Sequence, residues 1–210
     1  MSTALPDLYP VNLVLAGRRC LVVGGGLVAA RKVSGLLGCG AVVHVVATWL
    51  SPELAELEGP TTEQRPYRRG EVSGYRLVIT ATGDPETNRA VHEDAERAGV
   101  WVNAADDVES CSFTLPAVVR QGPVVVSVSS SGRSPALASW LAERIREQLG
   151  PEHALAAGML SAARERCKAL GRSTETVDWR SALDSDMLGM LRAGQVDRAE
   201  ELLRRCLSSS

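Results

Sequence analysis

Cys20-Leu21-Val22-Val23 is a short apolar run that ends on three glycines, Gly24-Gly25-Gly26, followed by Leu27-Val28-Ala29. The stretch reads G-x-G-x-x-A directly after a predicted strand and at the start of a predicted helix. Glycine permits the tight turn and lets the backbone approach a bulky anion closely. The free N–H groups and positive end of the following helix favour phosphate. A glycine-rich turn also occurs in α/β proteins without such a ligand. Its place on the first strand of an α/β half favours a dinucleotide, held by Gly24, Gly25, Gly26, Leu27 and Val28.

The pattern continues as alternating strand and helix. Val28 to Leu37 reads as a helix stopped by Gly38 and Gly40, and Ala41 to Ala47 as a strand. Ser51-Pro52-Glu53 opens a short helix with Ser51 as N-cap and Pro52 in its first turn. A weak strand is expected near Arg65 to Tyr67 and a clear one over Leu77 to Thr82. Asp84-Pro85-Glu86 caps a helix that runs to Ala98, with Gly99 as its stop. Val100 to Ala104 is the next strand. This order predicts a Rossmann-like, doubly wound parallel sheet.

The second half changes character. Pro123 to Ser129 contains the apolar Val124-Val125-Val126, and Pro135 to Leu149 reads as an amphipathic helix. Helices are expected over 152–170, about 179–192 and 197–207. The boundaries fall near 115 and 150, giving segments 1–115, 116–150 and 151–210. With a net charge of −2 in 210 residues, nothing points to nucleic acid. No apolar stretch is long enough to span a membrane, and the first ten residues do not resemble a signal peptide. The five cysteines are irregularly spaced, which suits reduced thiols in a cytoplasm. His44, His92 and His153 match no metal spacing, so no metal ligands are assigned.

Three places carry candidate chemistry. At the end of the second strand the usual ribose-binding acid is missing. Thr48 can bond a ribose hydroxyl and Trp49 can cover an adenine, and charge does not decide between NAD and NADP. At the end of the strand Val100–Ala104 stands Asn103-Ala104-Ala105-Asp106-Asp107, outside the carboxyl ends of the sheet where ligands bind. Asp106 there can accept a proton while a hydride leaves to NAD, or it can simply cap a turn. Third, Ser129-Ser130-Ser131-Gly132-Arg133-Ser134-Pro135 lies between a strand and a helix. It reads as an anion cradle or as an ordinary loop capped by Ser134.

Taken together these segments resemble the precorrin-2 dehydrogenase / sirohydrochlorin ferrochelatase family, in its stand-alone form. The resemblance rests on Tyr9-Pro10-Val11-Asn12-Leu13, Val22 to Lys32, Thr80-Ala81-Thr82-Gly83-Asp84, Asn103 to Asp106 with Ser112-Phe113-Thr114-Leu115-Pro116, and Val126 to Ala138. Ser131 stands where the family often has glycine, Gly83 where it often has aspartate, and Arg133 where it often has threonine. The resemblance implies NAD as cofactor, with Thr82 among its contacts, and oxidation of precorrin-2 to sirohydrochlorin on the way to siroheme. It implies that Asp106 is the family's key aspartate and that Asn103, Ser129, Ser130 and Arg133 face the substrate. Some members also insert ferrous or cobaltous ion as a substrate. It further implies a homodimer, with an NAD-binding domain over 1–115, a small α+β dimerisation region over 116–150 and a helical C-terminal domain over 151–210. The competing reading is an NAD-sensing regulatory module without catalysis. It has no need of a proton acceptor at Asp106.

Overall fold

The computed structural model describes residues 8–105, 107, 110–175 and 177–208. They fall into two compact units, one ending at Leu115 and one beginning at Pro116.

The first unit is built on a five-stranded, all-parallel sheet. Its strands are β1 (Arg19–Val23), β2 (Val42–Ala47), β3 (Thr61–Gln64), β4 (Leu77–Thr80) and β5 (Trp101–Ala104), in the order β3-β2-β1-β4-β5. The chain steps outward from β1 to β3, then returns to the other side of β1 for β4 and β5. Strand order therefore reverses between β1 and β4, the place where doubly wound sheets bind ligands. Because β1, β2 and β4 are apolar at every or nearly every position, both faces can be covered. One face packs Cys20, Val22, Val43, Val45 and Ile79 with Ala29, Val33 and Leu36 of α1 (Leu27–Leu37) and Leu54 of α2 (Pro52–Ala55). The other packs Leu21, Val23, Val46, Val78 and Val102 with Val91 and Ala95 of α3 (Pro85–Ala98).

Sequence-encoded caps set the helix ends. The Ser51 hydroxyl accepts the Leu54 N–H at 3.3 Å. Asp84 accepts the N–H groups of Glu86 and Thr87. Gly99 ends α3 at φ +65°. One strand differs from expectation: the third lies at Thr61–Gln64, before Arg65–Tyr67. It is an exposed edge strand without apolar residues, so its sequence carries no strand-like alternation.

The second unit begins with an antiparallel hairpin of β6 (Ala117–Gln121) and β7 (Val124–Val128), joined by Gly122-Pro123. The first of these strands was not anticipated from sequence. Along the hairpin packs α4 (Pro135–Gln148). A helical cluster follows, with Ala156 and Ala163 of α5 (Pro151–Ala169) against Ala182 of α6 (Trp179–Asp184). Met187 and Leu191 of α7 (Met187–Arg192) and Ala199 and Leu203 of α8 (Val196–Ser208) complete it. The helix expected over 179–192 is therefore two helices. Ser185 takes extended backbone and its hydroxyl donates to the Ala182 carbonyl, which ends α6. No helix among the described residues is long and apolar enough to cross a membrane.

Candidate functional site

The glycine turn joins β1 to α1 at the point where strand order reverses. Gly24 has φ +133°, and a Cβ there would run into the carbonyl of Ala81 in the loop after β4. Its N–H donates to the Val46 carbonyl at 2.9 Å. A Cβ on Gly25 would collide with the Trp49 carbonyl, and the Gly25 carbonyl accepts the Ser51 N–H at 2.7 Å. Gly26 is the N-cap of α1, and no side chain caps that helix end. Leu27 and Val28 in its first turn are about half exposed. The result is a narrow backbone cradle with free helix N–H groups, and its residues fit a pyrophosphate.

The walls come from neighbouring strand ends. Beyond β2, Thr48 and Trp49 are exposed, and the Trp49 ring lies 3.7 Å from where a Gly26 Cβ would stand. Beyond β4, the Thr82 hydroxyl bonds Asn88 Oδ1 at 2.8 Å, and Asn88 Nδ2 donates to the Thr82 carbonyl at 3.1 Å. Asn88 also touches the Thr80 hydroxyl. This α3 residue pins the loop facing Gly24, a role that no local pattern in the sequence signals.

Near the end of β5, Asn103 is buried. Its amide donates to the Phe113 carbonyl at 3.0 Å and to Cys111 Sγ at 3.5 Å, so in this structure it ties down the returning chain. Asp106 lies outside the described residues. Asp107 is exposed and accepts the Ser110 hydroxyl at 2.6 Å. Burial lowers the pKa of Lys32 on α1, opposed by the nearby Cys111. Burial raises that of the Cys111 thiol. At the start of α3, Asp84 stays ionised below its usual range because the Thr87 hydroxyl and the Glu86 N–H bond it.

The serine-rich loop belongs to the second unit. Ser129 Oγ accepts the Ser131 N–H at 3.1 Å, and Ser130 Oγ accepts the Ser134 N–H at 2.9 Å. The Arg133 N–H donates to the Ser130 carbonyl at 3.0 Å, and Ser134 caps α4 through the Leu137 N–H at 3.2 Å. The loop thus satisfies three of its own N–H groups, and the Arg133 side chain is left exposed. Among the described residues no three His, Cys, Asp or Glu side chains cluster as metal ligands do.

Comparison with known proteins adds the following. The family described as "Putative NAD(P)-binding" matches residues 11–117, just over half of the chain. A siroheme synthase of Chromobacterium violaceum is 40% identical over 166 residues, covering 78% of this chain and 35% of the relative. A siroheme synthase of Nitrosomonas europaea is 33% identical over 210 residues, covering 97% and 44%. The chain spans less than half the length of these relatives. The solved structure of SirC, a precorrin-2 dehydrogenase, shares the fold with a TM-score of 0.72 at 24% identity, covering 96% of this chain and 98% of that one.

Proposed function

Because the chain belongs to the NAD(P)-binding family that matches its residues 11–117, we propose that it is an NAD-dependent dehydrogenase oxidising precorrin-2 to sirohydrochlorin in siroheme synthesis. The observation that carries this reading is the glycine cradle at the strand-order reversal between β1 and β4, with β5 on the far side of β4 and followed in sequence by Ala105-Asp106-Asp107. Siroheme synthase relatives over nearly the whole chain and the fold shared with SirC support the substrate. When bound, NAD supplies the acceptor for a hydride.

The chain's own residues do the rest. Gly24, Gly25 and the open N-terminus of α1 hold the pyrophosphate, while Thr48 and Trp49 flank the adenosine half. Thr82, fixed by Asn88, lines the opposite wall. Loss of hydride leaves a cationic product that must shed a proton, and Asp106 takes it. Arg133 and the helix-start loop around it bind substrate carboxylates. The surrounding compartment is a reducing cytoplasm, in keeping with five irregularly spaced cysteines, and the working form is a homodimer.

The test is anaerobic incubation with precorrin-2 and NAD, following sirohydrochlorin absorbance. Wild type should turn over. Asp106→Ala should fall by at least about 100-fold while still binding NAD, since general base catalysis is worth ~10²–10⁴. Asp107→Ala should be milder. Near-normal turnover in Asp106→Ala would reduce that aspartate to a turn residue, and a wild type that binds NAD without turnover would favour a sensor. Ferrous or cobaltous ion, added afterwards as substrate, shows whether the same chain also inserts metal.

A further inference from the structure

We propose that Cys111 and Ser112 are positioning residues that clamp the chain returning past β5 onto Val102, Ala104 and Asp107, and that dehydrogenation needs this clamp; this rests on the dehydrogenase reading above. β5 is the outer strand of the sheet, with β4 as its only strand neighbour among the described residues. Alternate residues of such a strand present N–H and C=O groups to the open side. Here those residues are Val102 and Ala104, both buried.

The returning chain satisfies both. The Ser112 N–H donates to the Val102 carbonyl at 2.9 Å, and the Val102 N–H donates to Ser112 Oγ at 2.7 Å. One residue earlier, Cys111 Sγ accepts the Ala104 N–H at 3.2 Å and lies 3.3 Å from the Ala104 carbonyl. The same sulfur lies 3.2 Å from the Asp107 carbonyl and accepts from Asn103 Nδ2 at 3.5 Å. Asn103 Nδ2 also holds the Phe113 carbonyl. One thiol and one hydroxyl therefore tie the chain at Cys111 and Ser112 back to Val102 and Ala104. The catalytic aspartate of the proposed reaction, Asp106, lies between these tie points in sequence.

A thiol suits this place. Only the protonated form can donate to a carbonyl while accepting from N–H groups, and burial favours that form. A methyl group would leave the Ala104 N–H and C=O without partners at a buried edge. A hydroxyl would restore donor and acceptor with a shorter reach.

Two measurements on the full-length protein decide the matter. In Cys111→Ala, amide hydrogen exchange over 102–112 should rise at least about tenfold, with exchange elsewhere and NAD affinity unchanged. The kcat for precorrin-2 should fall at least about tenfold with the KM for NAD preserved, and Cys111→Ser should recover most of both. Ser112→Ala provides a second, independent lesion of the same clamp. Unchanged exchange over 102–112 in both alanine variants would overturn the inference, whatever the turnover. So would raised exchange with normal kcat, or a rise spread over the whole unit with NAD affinity falling alongside. If the wild type itself fails to oxidise precorrin-2, the dehydrogenase reading falls, and exchange alone decides whether the clamp exists.

Discussion

At the scale of single residues, the three adjacent glycines answer three different demands. Gly24 is needed for its positive φ and for the passage of the Ala81 carbonyl, and Gly25 for the approach of the Trp49 carbonyl. Gly26 is different. Its backbone is extended (φ −83°, ψ −175°), which any residue adopts, and a side chain there would meet only the edge of Trp49 at 3.7 Å. The fold does not require glycine at 26, whereas the phosphate proposed at the helix start would favour it. Gly26→Asp should therefore fold, because aspartate is a good N-cap. It should lose NAD affinity by at least about tenfold, because its carboxylate takes the N–H groups and the positive field meant for phosphate. Calorimetric NAD titration and a melting curve check both halves. Gly25→Ala should instead cost about 1–3 kcal/mol or more in stability through overpacking. Retained affinity in Gly26→Asp would mean that phosphate sits elsewhere.

At the scale of elements, the loop from β7 to α4 carries a strain that the sequence already hinted at. Ser131 sits at φ +52°, beside Gly132 at φ +75°. A left-handed conformation costs a non-glycine residue roughly 1–2 kcal/mol. Ser131→Gly should recover about 1 kcal/mol in denaturant unfolding, less some loss to a more flexible unfolded chain. No gain would mean that its neighbours already favour that geometry. Most of the Rossmann-like sheet was legible because its inner strands are apolar on both faces and its helices announce their caps: Ser51, Asp84, Gly99. What escaped had physical reasons. Edge strand β3 buries nothing, so its Thr-Thr-Glu-Gln has no period to read. The first hairpin strand, Ala-Val-Val-Arg-Gln, buries only Val119 and ends in Arg120 and Gln121, so it lacks the continuous apolar run that marks β7. The Leu and Met spacing over 179–192 suits one helix, but Ser185 bonds the backbone locally and breaks it. In the site, the glycine cradle was visible as a motif. Asn88 and Cys111 were not, because each acts through partners that only the folded chain brings to it.

At the scale of the whole molecule, the second unit carries its own argument for association. Its two-stranded hairpin packs mainly on α4, where Val119, Ala138 and Ala142 are buried, and α5 reaches the Gly122 turn through Ala154. Val118 and Val125 alternate away from the buried Val119 and remain 39% exposed each, and on α4 Leu137 and Trp140 are 49% and 55% exposed. An isolated pair of strands is marginal in water, and an exposed apolar sheet face such as that of Val118 and Val125 marks an interface. A second copy of the chain is the simplest cover, because a two-fold axis lets one patch pack on itself. The chain should therefore be a dimer by light scattering at micromolar concentration. Val118→Asp combined with Val125→Asp places two carboxylates on the strand face and two more from the partner, so the mass should halve. NAD titration should survive in that variant, since every residue of the glycine cradle lies in the other unit. A monomeric wild type would refute the assignment. A dimer untouched by the two aspartates would move the interface off the hairpin, with Trp140→Glu then deciding whether α4 carries it.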